Sequence, residues 1–560
     1  MQKLYTPAGE SLSSIPWNTY PRPQMVRKDW LCLNGIWDFE YDGTRTQIMV
    51  PFCPESLLSG LDIKMKYGRE MKYTRRFSLP EAWRGRRILL HFGAVNRLAS
   101  VQVNGRAATV HEVGCLPFTT DITELLLDGE NELSVTAVND LSHRYPWGKQ
   151  KEKRGGMWYT PVSGIWQTVW LEPVPPRYIR ALTVTTDGST VEILAEGMDT
   201  GTVELEGTPY PMAGGKAKIK VENPEYWCPE NPRLYHFAVE ASGDRVESYF
   251  ALRTLDIRTM DGKPRLCLNG KPYFFHGLLD QGYWSDGLYT PAAPECYEED
   301  IQAMKALGFN MLRKHIKIEP EQFYFECDRL GMIVFQDMVN CGKYRFLRDT
   351  ALPTAGFRSR KDSRLHRDPE VRKHFLEAMD DTVRLLRNHP SICLWTIFNE
   401  GWGQFCADEA YERLKALDGT RFIDSTSGWF AQEKSDVESL HIYFSPLKTG
   451  EKNLPQILSE FGGWSLKIPE HSFNLEKTYG YKKYEDRESF VTDLRALYLD
   501  QVLPLIPQGL SAAVYTQLSD VEDETNGLLT FDRKIRKIAP EDFRDVSDRL
   551  LAALPQENQP

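Results

Sequence analysis

The stretch RNHPSICLWTIFNEGWGQF, from Arg387 to Phe405, constrains this chain more than any other. Ile392 to Phe398 form an almost continuous apolar run, which suits a parallel strand covered on both faces and not an antiparallel strand with one wet face. Polarity returns abruptly at Asn399 and Glu400. In parallel barrels and open α/β sheets the reacting groups sit at the carboxyl ends of strands, so this Asn-Glu pair marks where chemistry is expected. The alternative is a structural Glu paired with a neighbouring Arg. A second stretch of the same design, QILSEFGGW from Gln456 to Trp464, sets Glu460 after Ile457 and Leu458. Gly462 and Gly463 then either let a ligand approach the backbone or form an ordinary turn.

Two strand-end carboxylates match the needs of glycosidic hydrolysis. One group protonates the leaving oxygen and the other attacks or stabilises the anomeric carbon, with retention of configuration when the two stand about 5 Å apart. The segment RNHPSICLWTIFNE resembles the acid/base signature of glycoside hydrolase family 2, which holds β-galactosidases, β-glucuronidases and β-mannosidases, except that Thr396 stands where that family usually has Gly or Ser. ILSEFGG is similar to the nucleophile segment of the same family. The resemblance implies that Glu400 is the general acid/base, that Glu460 is the nucleophile and that Asn399 hydrogen-bonds the sugar's 2-hydroxyl.

Composition narrows the alternatives. At 560 residues the chain exceeds one compact core and predicts two to four domains. A net charge of -10 and a pI near 5.7 argue against nucleic acid or an anionic membrane as the main partner. The segment MQKLYTPAGESLSSIPW lacks the apolar core of a secretory signal, and no apolar run is long enough to cross a bilayer, so a cytoplasmic location is expected. Ten cysteines, without a CxxC pair or a Cys/His cluster, read as free thiols in a reducing compartment, with neither structural zinc nor disulfides expected.

Along the chain, residues 1–175 show short alternating runs broken by turn dipeptides such as Asn34-Gly35, Asp42-Gly43, Asn104-Gly105 and Asp128-Gly129, which predict an antiparallel sandwich of jelly-roll type. LNGIWDF and SGIWQTVWLEPV in this part resemble the family's sugar-binding domain. Residues 176–255 continue with short strands of a length that suits an immunoglobulin-like sandwich. From 256 to 560 the rhythm changes to strands alternating with amphipathic helices, as in EEDIQAMKALGFNMLR and PEQFYFECDRLGMIVFQD, where Gly308 and Gly331 are the expected left-handed caps. Eight strand candidates then predict a (β/α)8 barrel in which several helices are short or missing. In the family barrel the acid/base follows strand four and the nucleophile strand seven, and the count here agrees.

Other strand ends supply candidate pocket residues. Arg313 and His315, in NMLRKH, resemble the family's N-x-x-R motif, and Arg313 would keep the nucleophile ionised through charge-assisted hydrogen bonds. Asp337 closes the third strand and serves either substrate or the loop that follows. His441 and Tyr443 lie two apart and hence on one face. Tyr443 is expected to donate to Glu460, while His441 reads more readily as a core histidine. Trp402, Trp429 and Trp464 lie just past strand ends, where an aromatic face can stack on a sugar, with at least one of the three expected to be core. Asp280 stands where many family members carry G-x-N-R-H and is expected to read a sugar hydroxyl. No lysine accompanies Asn526 in ETNGLLTF, unlike the N-x-K motif of glucuronidases, which disfavours a glucuronic acid substrate. The loop from Gly342 to Asp368 carries Lys343, Arg345, Arg348, Arg358, Arg360, Lys361, Arg364 and Arg367, and is either a rim that favours an anionic glycan or a solvated face.

These observations converge on a three-domain retaining exo-β-glycosidase, β-galactosidase-like first, that acts on a carbohydrate substrate without metal or cofactor. β-Glucuronidase, β-mannosidase and α-L-arabinopyranosidase specificities stay open, as do a catalytically silent carbohydrate-binding protein and a homo-oligomer.

Overall fold

A computed structural model describes residues 1–555 of the chain. The alternating runs of the N-terminal part form two antiparallel sheets packed face to face. One has four strands in the order Leu31–Cys32, Val169–Val174, Arg87–Phe92, Phe118–Asp121, and the other has six with Glu70–Ser78 and Glu130–Val138 at its centre. The period-two pattern explains the packing: in Glu130–Val138 the residues Leu133, Val135 and Ala137 point into the shared core beside Trp37, Tyr73 and Val101. Seven further antiparallel strands, between Leu182 and Phe250, form one continuous run, because Ala213 pairs with Lys216 and joins two groups of strands around a separate core of Val191, Ile193, Val203 and Val239. This is the expected immunoglobulin-like layer.

The barrel strands are β1 (Phe275–Asp280), β2 (Met311–Lys314), β3 (Ile333–Asp337), β4 (Ile392–Asn399), β5 (Phe422–Ser427), β6 (Glu438–Ile442), β7 (Gln456–Gly462) and β8 (Leu510–Thr516). All pair in parallel, in the order β5-β4-β3-β2-β1-β8-β7-β6. Every residue of β4 is buried, as its uniform apolar character required. The α-helices longer than one turn are α1 (Glu295–Ala306), α2 (Glu321–Leu330), α3 (Pro369–Leu386), α4 (Ala407–Leu417), α5 (Arg487–Ala496) and α6 (Pro540–Ala552). Gly331 caps α2 with φ 72°, as predicted, and Asp368 caps α3 by accepting from the Glu370 N–H at 3.0 Å.

No helix separates β5 from β6 or β6 from β7 among the described residues. The β5–β6 seam has no regular ladder: the Asp436 N–H donates to Ile423 O at 2.9 Å just ahead of β6, and side chains close the rest. Asp436 Oδ2 accepts from the Ile423 N–H at 2.9 Å, and Ser427 Oγ meets the hydroxyls of Ser439 at 3.2 Å and Ser459 at 3.0 Å. A long connection between Val138 and Gly164 leaves the N-terminal sandwich and lies across the mouth of the barrel. The Trp147 N–H donates to Asn340 O at 3.1 Å, and Trp147 and Trp158 share one hydrophobic core with the barrel residues Trp402 and Phe398.

Candidate active site

Glu400 follows β4 directly. Its backbone φ is 52°, a conformation that costs a non-glycine residue of order 1–3 kcal/mol and recurs at functional sites. The turn is held by the Glu400 N–H, which donates to Ser427 O at 2.8 Å on β5. The next residue must be small: at Gly401, with φ 67°, a Cβ would lie 2.2 Å from a ring carbon of Phe430. The Glu400 side chain is 20% exposed, while Glu460, at the end of β7, is buried. One carboxylate oxygen of each, together with a nitrogen of His441, lie within 4.8 Å of one another.

His441 is what sequence reasoning undervalued. Its Nδ1 lies 2.8 Å from Glu400 Oε1, and its Nε2 lies 2.9 Å from Ser427 Oγ and 3.6 Å from Glu460 Oε1. The ring thus sits between the two carboxylates. A lone His on a strand carries no local mark of this, because β6 and β4 meet only through barrel closure. Two carboxylates and an imidazole also have the make-up of a divalent-metal site. Here Glu460 is already engaged by Tyr443 and Arg313, and Glu400 Oε1 by His441, so the geometry is that of a hydrogen-bonded array.

Arg313 organises the floor. It donates from Nε to Asp337 Oδ1 at 3.0 Å, from Nη1 to Ser459 O at 3.0 Å and Glu460 Oε1 at 3.2 Å, and from Nη2 to Asn399 Oδ1 at 2.9 Å. Tyr443 donates to Glu460 Oε2 at 2.6 Å, as expected. Burial pushes the Glu460 carboxyl up, but His441, Arg313, His315 and Lys149 outweigh it and hold the group at about 2. Asn399, its Oδ1 occupied by Arg313, keeps an Nδ2 with no partner among the described residues.

Several expectations need correction. Asp280 does not present a free carboxylate: it is buried in an ion pair with Lys314 at 2.5 Å and accepts from the Gly282 N–H at 2.8 Å. Asp337 is spent on Arg313 and on His315 Nδ1 at 2.7 Å, so it positions these two residues and does not face a ligand. His315 itself keeps a buried Nε2 without a partner, and burial together with Lys149 lowers its ring to about 4, so it is neutral at physiological pH. Trp402 is not a platform. Its ring is buried edge-on against Trp147 (4.9 Å) and Trp158 (5.3 Å), and its Nε1 donates to Gly342 O at 3.3 Å. Trp464 packs against Tyr484 at 5.9 Å with Lys482 over its ring at 4.9 Å, so its ring is occupied by these two neighbours.

Two further charged groups, Lys149 and Glu524, were not legible in the sequence. Lys149, half-buried in the connection from the N-terminal sandwich, has no side-chain partner among the described residues, and its charge acts on Glu460, His315 and Glu524. Glu524, just beyond β8, accepts from Gln517 Nε2 at 2.7 Å, and Gln517 in turn accepts from Gln281 Nε2 at 3.0 Å. Burial pushes Glu524 up to about 7, against the pull of Lys149.

Fold and site together define a (β/α)8-barrel protein that brings one oxygen of each of two strand-end carboxylates to within 4.8 Å. Three family models match: the sugar binding domain of glycosyl hydrolases family 2 over residues 60–175, the family's middle region over 179–253, and its TIM barrel domain over 260–465. The chain belongs to glycosyl hydrolases family 2. It is 27% identical to a β-glucuronidase of Sus scrofa over 63% of this chain and 59% of that protein, so it spans about three fifths of that relative's length. It is 26% identical to a β-galactosidase of Thermoanaerobacter pseudethanolicus over 55% of this chain and 45% of that one. Among solved structures, a β-D-glucuronidase of Dictyoglomus thermophilum shares the fold with a TM-score of 0.74 at 19% identity, covering 96% of this chain and 99% of that chain. A Ruminococcus gnavus β-glucuronidase does so with a TM-score of 0.75 at 18% identity, covering 95% and 99%. No helix among the described residues is long and apolar enough to cross a membrane.

Proposed function

We propose that the chain hydrolyses β-linked glycosides from the non-reducing end with retention of configuration, and that its glycone is a neutral, galactose-like sugar. The observation that carries the reaction is the approach of Glu400 and Glu460 oxygens to within 4.8 Å. That suits the separation of about 5 Å between carboxyl groups used in double displacement, against roughly 6.5–9.5 Å in inverting enzymes. Glu460, ionised at neutral pH, attacks the anomeric carbon. Glu400, held by His441 through one oxygen, protonates the leaving oxygen with the other and then, as base, takes a proton from the water that frees the sugar. Asn399 Nδ2 is the donor left for the 2-hydroxyl, and the buried Nε2 of His315 is an acceptor beside Glu460.

For the sugar, the supporting feature is Glu524. Its carboxylate acts on Glu460 and would repel an anionic glycone once ionised, whereas a Glu/Lys pair of opposite sign suits the hydroxyls of a neutral one. A second reading, a β-glucuronide, is favoured by Lys149, a cation without a side-chain partner, and by the names of the relatives. A panel of nitrophenyl β-galactoside, β-glucuronide, β-mannoside, β-glucoside and α-L-arabinopyranoside decides between them, measured with wild type and with Glu460→Ala with and without azide. Turnover of one β-glycoside, lost in the variant and partly restored as a glycosyl azide of inverted configuration, is expected. Turnover by the variant without azide would overturn the mechanism, and preference for the glucuronide would overturn the sugar.

A further inference from the structure

The loop that follows β3 borders an open, solvent-exposed cavity of about 360 Å³ whose wall is mostly cationic: Lys343, Arg345, Arg348, Arg360, Arg364 and Arg367 line it, with Leu365 and His366 between them. In a chain of net charge -10 this is a local inversion of sign. One carboxylate is tied into the same loop, that of Asp349, and it is consumed. Its Oδ2 accepts from Arg348 Nη2 at 2.8 Å and from the Arg345 N–H at 2.7 Å. Asp362 turns away, accepting from Gln404 Nε2 at 2.9 Å and the Ala407 N–H at 3.0 Å, and Asp368 is used as the α3 cap. His366 adds no countercharge, since its Nε2 meets Arg348 Nη2 at 2.8 Å and the ring lies against the cavity as a neutral group. The side-chain cations of Lys343, Arg345, Arg360 and Arg364 have no partner among the described residues. Like charges gathered around one cavity repel, so the arrangement is at its most stable when an anion fills it.

The cavity also has a defined place relative to the carboxylates. Gly342, at the start of the loop, accepts from the indoles of Trp402 (3.3 Å) and Trp147 (3.2 Å), and Trp402 lies two residues past Glu400. Tyr344, between Lys343 and Arg345, packs edge-on to Trp158 at 4.9 Å, and the Glu400 charge acts on its hydroxyl. On the far side, Trp429 donates to Asp349 O at 3.2 Å and meets His441 edge-on at 5.5 Å. Tyr344 and Trp429 therefore tie the cationic loop to the surroundings of Glu400, the group that faces the leaving oxygen in the reaction proposed above.

We infer that this cavity binds an anionic group, a sulfate ester or a carboxylate, carried by the aglycone of the substrate. The inference rests on the proposed glycosidase activity and deepens it: the enzyme removes a terminal sugar from an acidic glycan and reads the charge on the leaving side. Guanidinium groups suit both oxyanions because each offers paired N–H donors to paired oxygens.

The test compares three disaccharides carrying the glycone that the nitrophenyl panel selects, β-linked to N-acetylglucosamine, to 6-O-sulfo-N-acetylglucosamine and to glucuronic acid. An Arg360→Glu, Arg364→Glu double variant is assayed beside wild type. For wild type at low salt, kcat/KM on at least one acidic disaccharide is expected to exceed the neutral one about tenfold, an advantage that fades as ionic strength shortens the Debye length below about 8 Å. The double variant should lose that advantage while turning over the nitrophenyl glycoside as wild type does. The two acidic acceptors tell sulfate from carboxylate. Equal kcat/KM on all three, or an advantage that survives the charge reversal, would overturn the inference while leaving the glycosidase reading intact. A failure of every nitrophenyl glycoside would count against that reading, and calorimetric titration of wild type and double variant with the sulfated disaccharide would still judge the cavity: binding that the charge reversal does not weaken overturns it.

Discussion

Replacing His441 by alanine separates the two carboxylates' needs. The ring contacts Glu400 at 2.8 Å but Glu460 at 3.6 Å, so its hydrogen bond belongs to Glu400, the proposed acid/base, and only its field reaches Glu460, the proposed nucleophile. A hydrogen bond to an ionisable group contributes about 1.5–3 kcal/mol. At about 1.4 kcal/mol per factor of ten, losing it slows the step that depends on Glu400 by about tenfold to about a hundredfold. Two aryl glycosides of the same sugar isolate that step. A dinitrophenolate leaves without a proton, whereas a phenolate of higher pKa needs one, and kcat/KM reports bond cleavage for both. His441→Ala should cut kcat/KM on the phenyl glycoside by that factor while the dinitrophenyl glycoside stays within about threefold of wild type. Since His441 is buried, thermal melting is measured alongside to show that the barrel is folded. An equal loss on both substrates would refute the argument and move His441 to the service of Glu460, which Arg313 and Tyr443 already hold.

Other perturbations test other parts of the site. Arg313→Leu leaves Asp337 and Glu460 buried without their cation, so urea unfolding should show a loss of about 3–5 kcal/mol. Lys149→Met removes a charge that holds Glu460 and His315 down, and the acidic limb of the kcat/KM profile should move to higher pH; an unmoved limb would place that lysine outside the field of Glu460. Trp402→Ala should destabilise by about 3–5 kcal/mol with little change in KM for a nitrophenyl glycoside, because its ring fills the barrel mouth and touches no ligand. Glu55 and Glu524 are both raised by burial to about 7. A raised carboxyl binds its proton more tightly in the folded state, so its contribution is complete below the unfolded value near 4.5 and is lost as pH rises through 7. Calorimetric melting should therefore fall between about pH 5 and about pH 8, and Glu55→Gln should flatten that fall.

How much of this was legible in the sequence follows from the range of the interactions involved. Residues 392–398 could be placed as a covered parallel strand because burial on both faces leaves its mark on every position, and the Asn-Glu and Ser-Glu strand ends could be read because a strand carries its own direction. Arg313 and Tyr443 were within reach for the same reason, each lying at or just past a strand end. The local pattern at Asp280 could not reveal that Lys314 on β2 would claim it, since that pairing exists only across the β1–β2 register. Trp402 looked like a platform until Trp147 and Trp158 arrived from a domain more than two hundred residues earlier.

By itself, then, the chain's one-dimensional pattern determined the kinds of layer, the eight barrel strands and the two carboxylates, all of which depend on periodicity and on local strand ends. Only the tertiary structure decided that His441 lies between those carboxylates, that Lys149 and Glu524 act on the same site, and that the arginines of the loop after β3 line one cavity. The physical reason is that charge and hydrogen bonding act through space over a few ångströms, and barrel closure and domain docking alone set which distant residues come that close.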